Sequence, residues 1–357
     1  MLSSMRVQSF LVFAAGLLLL AVAGCRQEET GPRLEQFSGR TMGTSYTVKL
    51  VSVTAGAVDT SDLQEKVEGT LDEVNAKMSN YLDDSEISRF NNWDRVDPFE
   101  VSSALLKVLS LANETSAATG GAFDITVAPL VNAWGFGPPG RMPEAPDAAQ
   151  IETLLRQTGW DQIEIDSANS TIKRTHEGLI ADLSAIAKGY GVDRIVEMLE
   201  TAGLDNFMVE IGGEVGARGL NRDAVPWRIG IERPIPGKRA IELVVPLSNL
   251  ALATSGDYRN YYEVEGERIS HTIDPRTGYP LSHSVASVSV VHPDCAEADA
   301  YATGLLVLGS EGFDLAEDLG LAAYFLIRES NEVFSGRMTT AFKELLEESN
   351  NDSVLVE

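Results

Sequence analysis

Two cysteines in 357 residues are too few for a disulfide framework, so a hydrophobic core must hold this fold together. A chain that is 44% hydrophobic and 23% charged can build such a core, as one large domain or as two. Basic residues are scarce as well: 28 Lys and Arg stand against 53 Asp and Glu, a formal net charge of -25. That balance argues against nucleic acid as a partner and against adsorption to anionic lipid. An anionic ligand would need a local device, namely a bound cation, backbone N–H groups or a placed lysine. His176, His271, His283 and His292 show no zinc-site spacing, and there is no P-loop. Gly135-Phe-Gly-Pro-Pro-Gly140 matches a dinucleotide-binding glycine pattern in letters only, because Pro138 and Pro139 remove two N–H donors. No internal repeat and no Pro-rich or Ser-rich linker divides the chain.

Long apolar runs are confined to the N-terminus. Arg6 precedes the run Phe10 to Ala23, which is too short to span a bilayer comfortably and reads as a targeting segment. The run ends in Val22-Ala23-Gly24-Cys25, which resembles a bacterial lipobox. The expectation is a signal peptide over residues 1–24, a mature chain beginning at a lipidated Cys25, and a polar tether over residues 25–35. Each buried acyl methylene contributes about 0.8 kcal/mol to anchoring. The place expected is the cell envelope, on a membrane facing the periplasm and preferably the inner one. With Cys25 acylated, Cys295 has no intramolecular partner.

The remaining chain reads as one domain over residues 36–346 and an acidic tail over residues 347–357 that should fray. Arg40 to Val53 alternates polar and apolar residues as a half-buried strand does. Helical spacing marks Thr60 to Met78, Ser103 to Ala118, Ala187 to Ala202, Cys295 to Leu308 and Gly312 to Leu319. Strands are expected near Gln162 to Ile165, Thr171 to Arg174, Leu179 to Leu183, Phe207 to Ile211 and Trp227 to Glu232. Further strands follow at Ile241 to Val245, Tyr258 to Val264, Val285 to Val291 and Ala322 to Arg328. Adjacent strands with few crossover helices make the class α+β with largely antiparallel sheet.

Four segments can carry chemistry. In Ala181-Asp-Leu-Ser-Ala-Ile-Ala-Lys-Gly-Tyr-Gly-Val-Asp193 small residues lead into a helix N-terminus, where the backbone favours anions and Lys188 adds a full charge. Alone, the segment reads equally as a plain turn with a solvated lysine. Asp299-Ala-Tyr-Ala-Thr303 sets a carboxylate and a hydroxyl one helical turn apart, two hard oxygens suited to Mg²⁺. Alone, it reads more simply as a first-turn aspartate with a chance threonine. His271, before the Asp274-Pro275 turn, is either a poised imidazole or an idle hairpin end. Glu210-Ile-Gly-Gly-Glu214 adds two carboxylates at a strand end bared by glycine.

Together, and in this order, the segments resemble the ApbE-type flavin transferases. The matching stretches are Thr41 to Thr44, Met78 to Tyr81, Gly121 to Thr126, Trp134 to Phe136, Asp182 to Gly189, Glu210 to Glu214, Thr254 to Asp257, His271 to Gly278 and Asp299 to Thr303. The resemblance implies a T-fold-like α+β architecture and movement of FMN from FAD onto a protein threonine with release of AMP. It implies FAD contacts from Met42, Tyr81, Ala122, Phe123, Asp124, Asp182, Lys188 and Ile273, and Mg²⁺, replaceable by Mn²⁺, on Ala185 (through its carbonyl), Asp299 and Thr303. Lys188 and Asp299 would serve the transfer, with His271 as the base. Acceptors implied carry an Asp-x-x-Ser/Thr-Gly-Ala/Ser-Thr stretch, typically on subunits of membrane redox complexes. This chain has no such stretch, so transfer would run in trans. Two rival readings are an FAD pyrophosphatase giving FMN and AMP, and a flavin-binding lipoprotein without chemistry.

Overall fold

Helix and antiparallel sheet alternate along the chain as the sequence pattern requires, in a computed structural model that describes residues 31–52, 59–93, 95–137, 145–235, 240–257, 261–264, 267–330 and 332–354. Pro32–Glu357 forms one compact unit. Cys25 and the targeting segment lie outside the described residues, as do Pro138, Pro139 and Gly140. Among the described residues, no helix is long and apolar enough to cross a membrane.

The chain opens with strands β1 (Arg33–Thr41) and β2 (Thr44–Ser52), then helices α1 (Thr60–Met78) and α2 (Glu86–Asn91). Short β3 (Phe99–Glu100), then α3 (Ser103–Ala118), α4 (Ala128–Ala133), α5 (Ala148–Leu155), β4 (Ile163–Asp166) and β5 (Thr171–Arg174) lead to α6 (Ala187–Thr201). Strands β6 (Phe207–Ile211), β7 (Glu214–Arg218), β8 (Trp227–Glu232), β9 (Ile241–Leu247), β10 (Leu250–Gly256), β11 (Tyr261–Val264), β12 (Glu267–Ser270) and β13 (Val285–His292) follow. Helices α7 (Cys295–Leu308) and α8 (Ser310–Asp318), the hairpin β14 (Ala322–Ser330) and β15 (Val333–Met338), and α9 (Thr340–Val354) complete it.

The main sheet has eight strands in the order β1-β2-β6-β7-β10-β13-β14-β15. Its neighbours all pair antiparallel, in keeping with the expected α+β class. Three small antiparallel sheets, β3-β5-β4, β8-β9 and β11-β12, flank it. Helix α6 packs on β6 and β7, and α7 on β10 and β13, so the two helices lie side by side over one face of the sheet. Val192, Ile195, Val196 and Leu199 of α6 join Val48, Phe207 and Val209 of the sheet in one buried cluster. Ala298, Ala302 and Leu305 of α7 close another on Val288 and Val290.

Where expectation and structure part, the backbone explains it. The single strand read over Arg40 to Val53 is a hairpin, turned at Met42 (φ 47°) and Gly43 (φ 72°). Two positive φ values fit the turn whose twist matches its flanking strands, yet methionine is a poor signal for that geometry. Strand β1 begins at Arg33, so the last three residues assigned to the tether belong to the sheet. Leu179 to Leu183 is not a strand and joins no sheet. The backbone of Ala181 bonds instead to the side chains of Asn80 and Asn91. The tail expected to fray from Glu347 continues as helix to Val354.

The α6–α7 contact is close because Gly189 has no side chain: a Cβ there would sit 2.4 Å from the Cys295 carbonyl oxygen. Backbone cannot yield as a flexible side chain does. Gly189→Ala is therefore expected to destabilise the protein by about 1–3 kcal/mol, a drop of several degrees in melting temperature. A thermal melt equal to wild type would show that the two helices part freely.

Candidate active site

Ile186, at the N-cap of α6, offers no side-chain cap, and the Ile186 and Ala187 N–H groups bond back to the Leu183 carbonyl at 3.0 and 2.8 Å. Gly189 N–H spends its hydrogen bond on Asp299 Oδ2 of α7, at 3.1 Å. Lys188 extends its ammonium between two carboxylates, 3.2 Å from Glu214 Oε1 and 3.5 Å from Asp299 Oδ2. The Glu214 and Asp299 side chains are only 5% and 3% exposed, whereas Lys188 keeps 29%, which gives the cluster one open side. Glu214 starts β7 after the Gly212-Gly213 turn, whose positive φ values of 63° and 115° favour glycine. A Cβ on Gly212 would meet Thr44 Cγ2 at 2.9 Å and Lys188 Cδ at 3.5 Å. One turn beyond Asp299, Thr303 Oγ1 shares a hydrogen bond of 2.8 Å with Ser255 Oγ of β10.

Burial is the main force that raises the Asp299 pKa; Lys188 opposes it and the like charge of Glu214 reinforces it. Burial also disfavours the charged lysine, but Asp299 and Glu214 together outweigh it and hold Lys188 protonated. Two carboxylates against one ammonium leave a net negative charge in a nearly closed place. Glu214 Oε2 is buried without a hydrogen-bond partner. An orphaned oxygen, excess negative charge and a nearby hydroxyl suit a hard divalent cation that completes its shell with water and ligand oxygens. Asp299 and Thr303, one turn apart on α7, could offer oxygens to it, and the half-buried Ala185 lies in the turn just before α6.

Around this charged centre, other expected residues gather by traceable contacts. Asp182 N–H donates to the Ile125 carbonyl at 2.6 Å, joining the segment before α6 to Gly121–Thr126. Asp182 Oδ1 in turn accepts from Ser184 N–H at 2.8 Å. Asp124 accepts from Thr126 N–H and Oγ1–H, and burial still pushes its pKa up to about 6. Met42 reaches α6, its Cε 3.2 Å from where a Gly191 Cβ would be. Asn80 ties the Met78–Tyr81 stretch to Ala181 and leaves the Tyr81 ring 74% exposed, free to lie on a planar ligand. Ala122 and Phe123 are buried whole, each 1% exposed, and their N–H groups bond to Thr119, so the structure sets both in the core rather than on an open surface. Phe123 packs behind α7, its Cβ 3.1 Å from a Cβ on Gly304.

His271 stands in an aromatic corner. Phe136 meets its ring edge-on at 6.3 Å between centroids and stacks on Tyr262 at 5.0 Å. The Tyr262 hydroxyl donates to the Trp134 carbonyl, and the Trp134 indole N–H to the Gly278 carbonyl. Ile273 is buried with Leu130, Trp134 and Ile151, and Val127 packs on the same cluster. A short path from Asp124 through Val127 to Trp134 joins this corner to the Gly121–Thr126 segment. Glu214 and Ser255 are site residues that the pattern of letters did not single out by role; a glutamate directly after Gly-Gly at a strand end was the available signal for the first.

Comparison with known proteins places the chain in a family. The family model described as "ApbE family" matches residues 42–325. The chain belongs to the ApbE family. Proteins named FAD:protein FMN transferase from Haemophilus influenzae and Vibrio cholerae are each 42% identical to it, over 92% and 95% of this chain and 96% and 99% of theirs. The solved ApbE flavin transferase from Vibrio cholerae superimposes with a TM-score of 0.80 at 40% identity, covering 88% of this chain and 99% of that one. The ApbE protein of Thermotoga maritima gives 0.77 at 27% identity. The α+β fold of this chain is thus that of the ApbE flavin transferases.

Proposed function

We infer that this chain is an FAD:protein FMN transferase, and the observation that carries the reading is the Lys188–Glu214–Asp299 cluster at the start of α6. In the reaction proposed, a threonine hydroxyl of the acceptor attacks the FMN-side phosphorus of FAD. A new P–O bond forms, the bridging P–O bond to the adenylate breaks, and AMP leaves. Phosphoryl transfer needs chiefly positioning and charge compensation. Lys188, kept protonated by its carboxylates, supplies positive charge on the open side of the cluster. Mg²⁺ held by Ala185, Asp299 and Thr303 supplies Lewis-acid compensation of the phosphate charge when bound, and Mn²⁺ accepts similar ligands. A threonine hydroxyl is a weak nucleophile near neutral pH, and His271 is assigned to take its proton.

Incubation with FAD, Mg²⁺ and a peptide bearing an Asp-x-x-Ser/Thr-Gly-Ala/Ser-Thr stretch tests this reading. A flavin linked through phosphate to the last threonine is expected by mass spectrometry, with no adduct when that threonine is valine. Free FMN with unmodified peptide would point to a pyrophosphatase, and unchanged FAD to a binding protein.

The acceptors proposed are subunits of membrane redox complexes, met at the periplasmic face of a membrane where Cys25 carries a lipid anchor. The lipobox-like sequence at Val22 to Cys25 supports this placement. Cys25→Ser is expected to shift the protein into the soluble envelope fraction with its activity on a soluble acceptor intact. Retention on membranes after a salt wash would overturn the anchor.

A further inference from the structure

We propose that Asp193 is a positioning residue for the flavin site. Its carboxylate clamps the first turn of α7 onto α6 and so fixes where Asp299 and Thr303 stand relative to Ala185 and Lys188, a role that rests on the metal-assisted transfer proposed above. The residues assigned to the cation, and the lysine beside it, come from two places only: the start of α6 and the body of α7. The turn that contains Ala185 is closed by the Ile186 and Ala187 N–H groups on the Leu183 carbonyl, so Ala185 moves with α6. The spacing between these groups is therefore set by the register of one helix against the other.

Two rungs fix that register. Gly189 and Asp193 lie one turn apart on α6, as do Cys295 and Asp299 on α7. In the first rung Gly189 N–H donates to Asp299 Oδ2 at 3.1 Å. In the second, Asp193 Oδ1 accepts from Cys295 N–H at 2.8 Å and Asp193 Oδ2 from Ala296 N–H at 2.9 Å. The partners follow in opposite order along the two helices, so α6 and α7 are antiparallel at this contact and a slide of one along the other strains both rungs. Between the rungs, Gly189 lacks the Cβ that would strike the Cys295 carbonyl, which lets the two backbones meet.

The residue that would ordinarily cap α7 leaves the task to Asp193. Asp294 occupies the N-cap position, yet its side chain makes no capping hydrogen bond, and its own N–H donates to His292 Nδ1. The orphan amides at this helix start are met instead from another helix, by a carboxylate that takes one N–H on each oxygen. Burial pushes the Asp193 carboxyl up to about 6 and the two N–H donors pull it down, so it is chiefly ionised at neutral pH. A local Ser or Asn would serve the stability of α7 as well. Only a cap lent by α6 also ties α7 to the helix that bears Lys188.

Two readings on the full-length protein in detergent test the clamp: the dissociation constant of Mn²⁺, used as the probe cation, and hydrogen exchange at the Gly189 amide, which belongs to the other rung. Asp193→Ala is expected to weaken Mn²⁺ binding at least about tenfold, the cost of losing a partner behind a ligand, and to speed exchange at Gly189. Asp193→Asn keeps the shape and one acceptor oxygen, and should shift both readings the same way by less. Ser102→Ala is the control. It removes the N-cap of α3, a helix that gives the site no residue, so it should lower the melting temperature by a few degrees and move neither reading. Wild-type Mn²⁺ affinity in both Asp193 variants would overturn the proposal, as would wild-type protection of Gly189 in both, or equal effects from Ser102→Ala. If wild type holds no Mn²⁺ while the Asp193 variants still expose the Gly189 amide, the clamp stands and the metal reading fails.

Discussion

Asp299→Ala is expected to lower flavin transfer at least about a hundredfold while changing FAD affinity little. The carboxylate is buried and is held by Gly189 N–H and Lys188. Its removal takes a hard oxygen from the cation and leaves Glu214 as the lone carboxylate beside the lysine. The lost charge compensation matters most where charge develops on the transferring phosphate, whereas the FAD contacts proposed for Tyr81 and Met42 are untouched by the substitution. Parallel titration of FAD binding and single-turnover transfer separates the two effects. A variant that transfers at the wild-type rate, or wild type that is fully active in excess chelator, would remove Asp299 from the metal assignment.

His271→Ala is expected to slow transfer by about 10²–10⁴, the usual contribution of a placed general base, and to spare FAD affinity. His271 sits against Phe136 beside the buried Trp134–Ile273 cluster, so its ring is oriented by packing. The readout that separates a base from a structural prop is the rate at raised pH: hydroxide restores part of the loss of a base and none of the loss of a prop. Wild-type transfer by the variant would refute the assignment.

Much of this fold was legible because its elements are pure in period. Leu63, Val67, Leu71, Val74 and Met78 recur at helical spacing and are all buried on α1. Ser102 caps α3 through its hydroxyl on Leu105 N–H, a signal visible in the letters. Phe207–Ile211 and Trp227–Glu232 are strands with the bounds that alternation and β-branching suggest. The hairpin at Met42 was hidden because a positive φ was forced on a residue that does not advertise it. Leu179–Leu183 misled because an apolar run looks the same whether its backbone pairs with a strand or with asparagine side chains. At the site, Lys188, Asp299 and Thr303 were marked by spacing on helices. Glu214 was not, since its role rests on burial beside Lys188, a relation made only when β7 and α6 come together.

One experiment bears on the central claim most directly: counting AMP released and flavin–peptide adduct formed in the same tube as acceptor concentration rises. Water at roughly 55 M always competes for the phosphorus, and an oriented hydroxyl prevails only through effective molarities that reach about 10⁵–10⁸ M. A transferase therefore gives slow AMP release without acceptor and one AMP per adduct at saturating acceptor. AMP in large excess over adduct at saturation would contradict the account and make this chain a hydrolase of FAD.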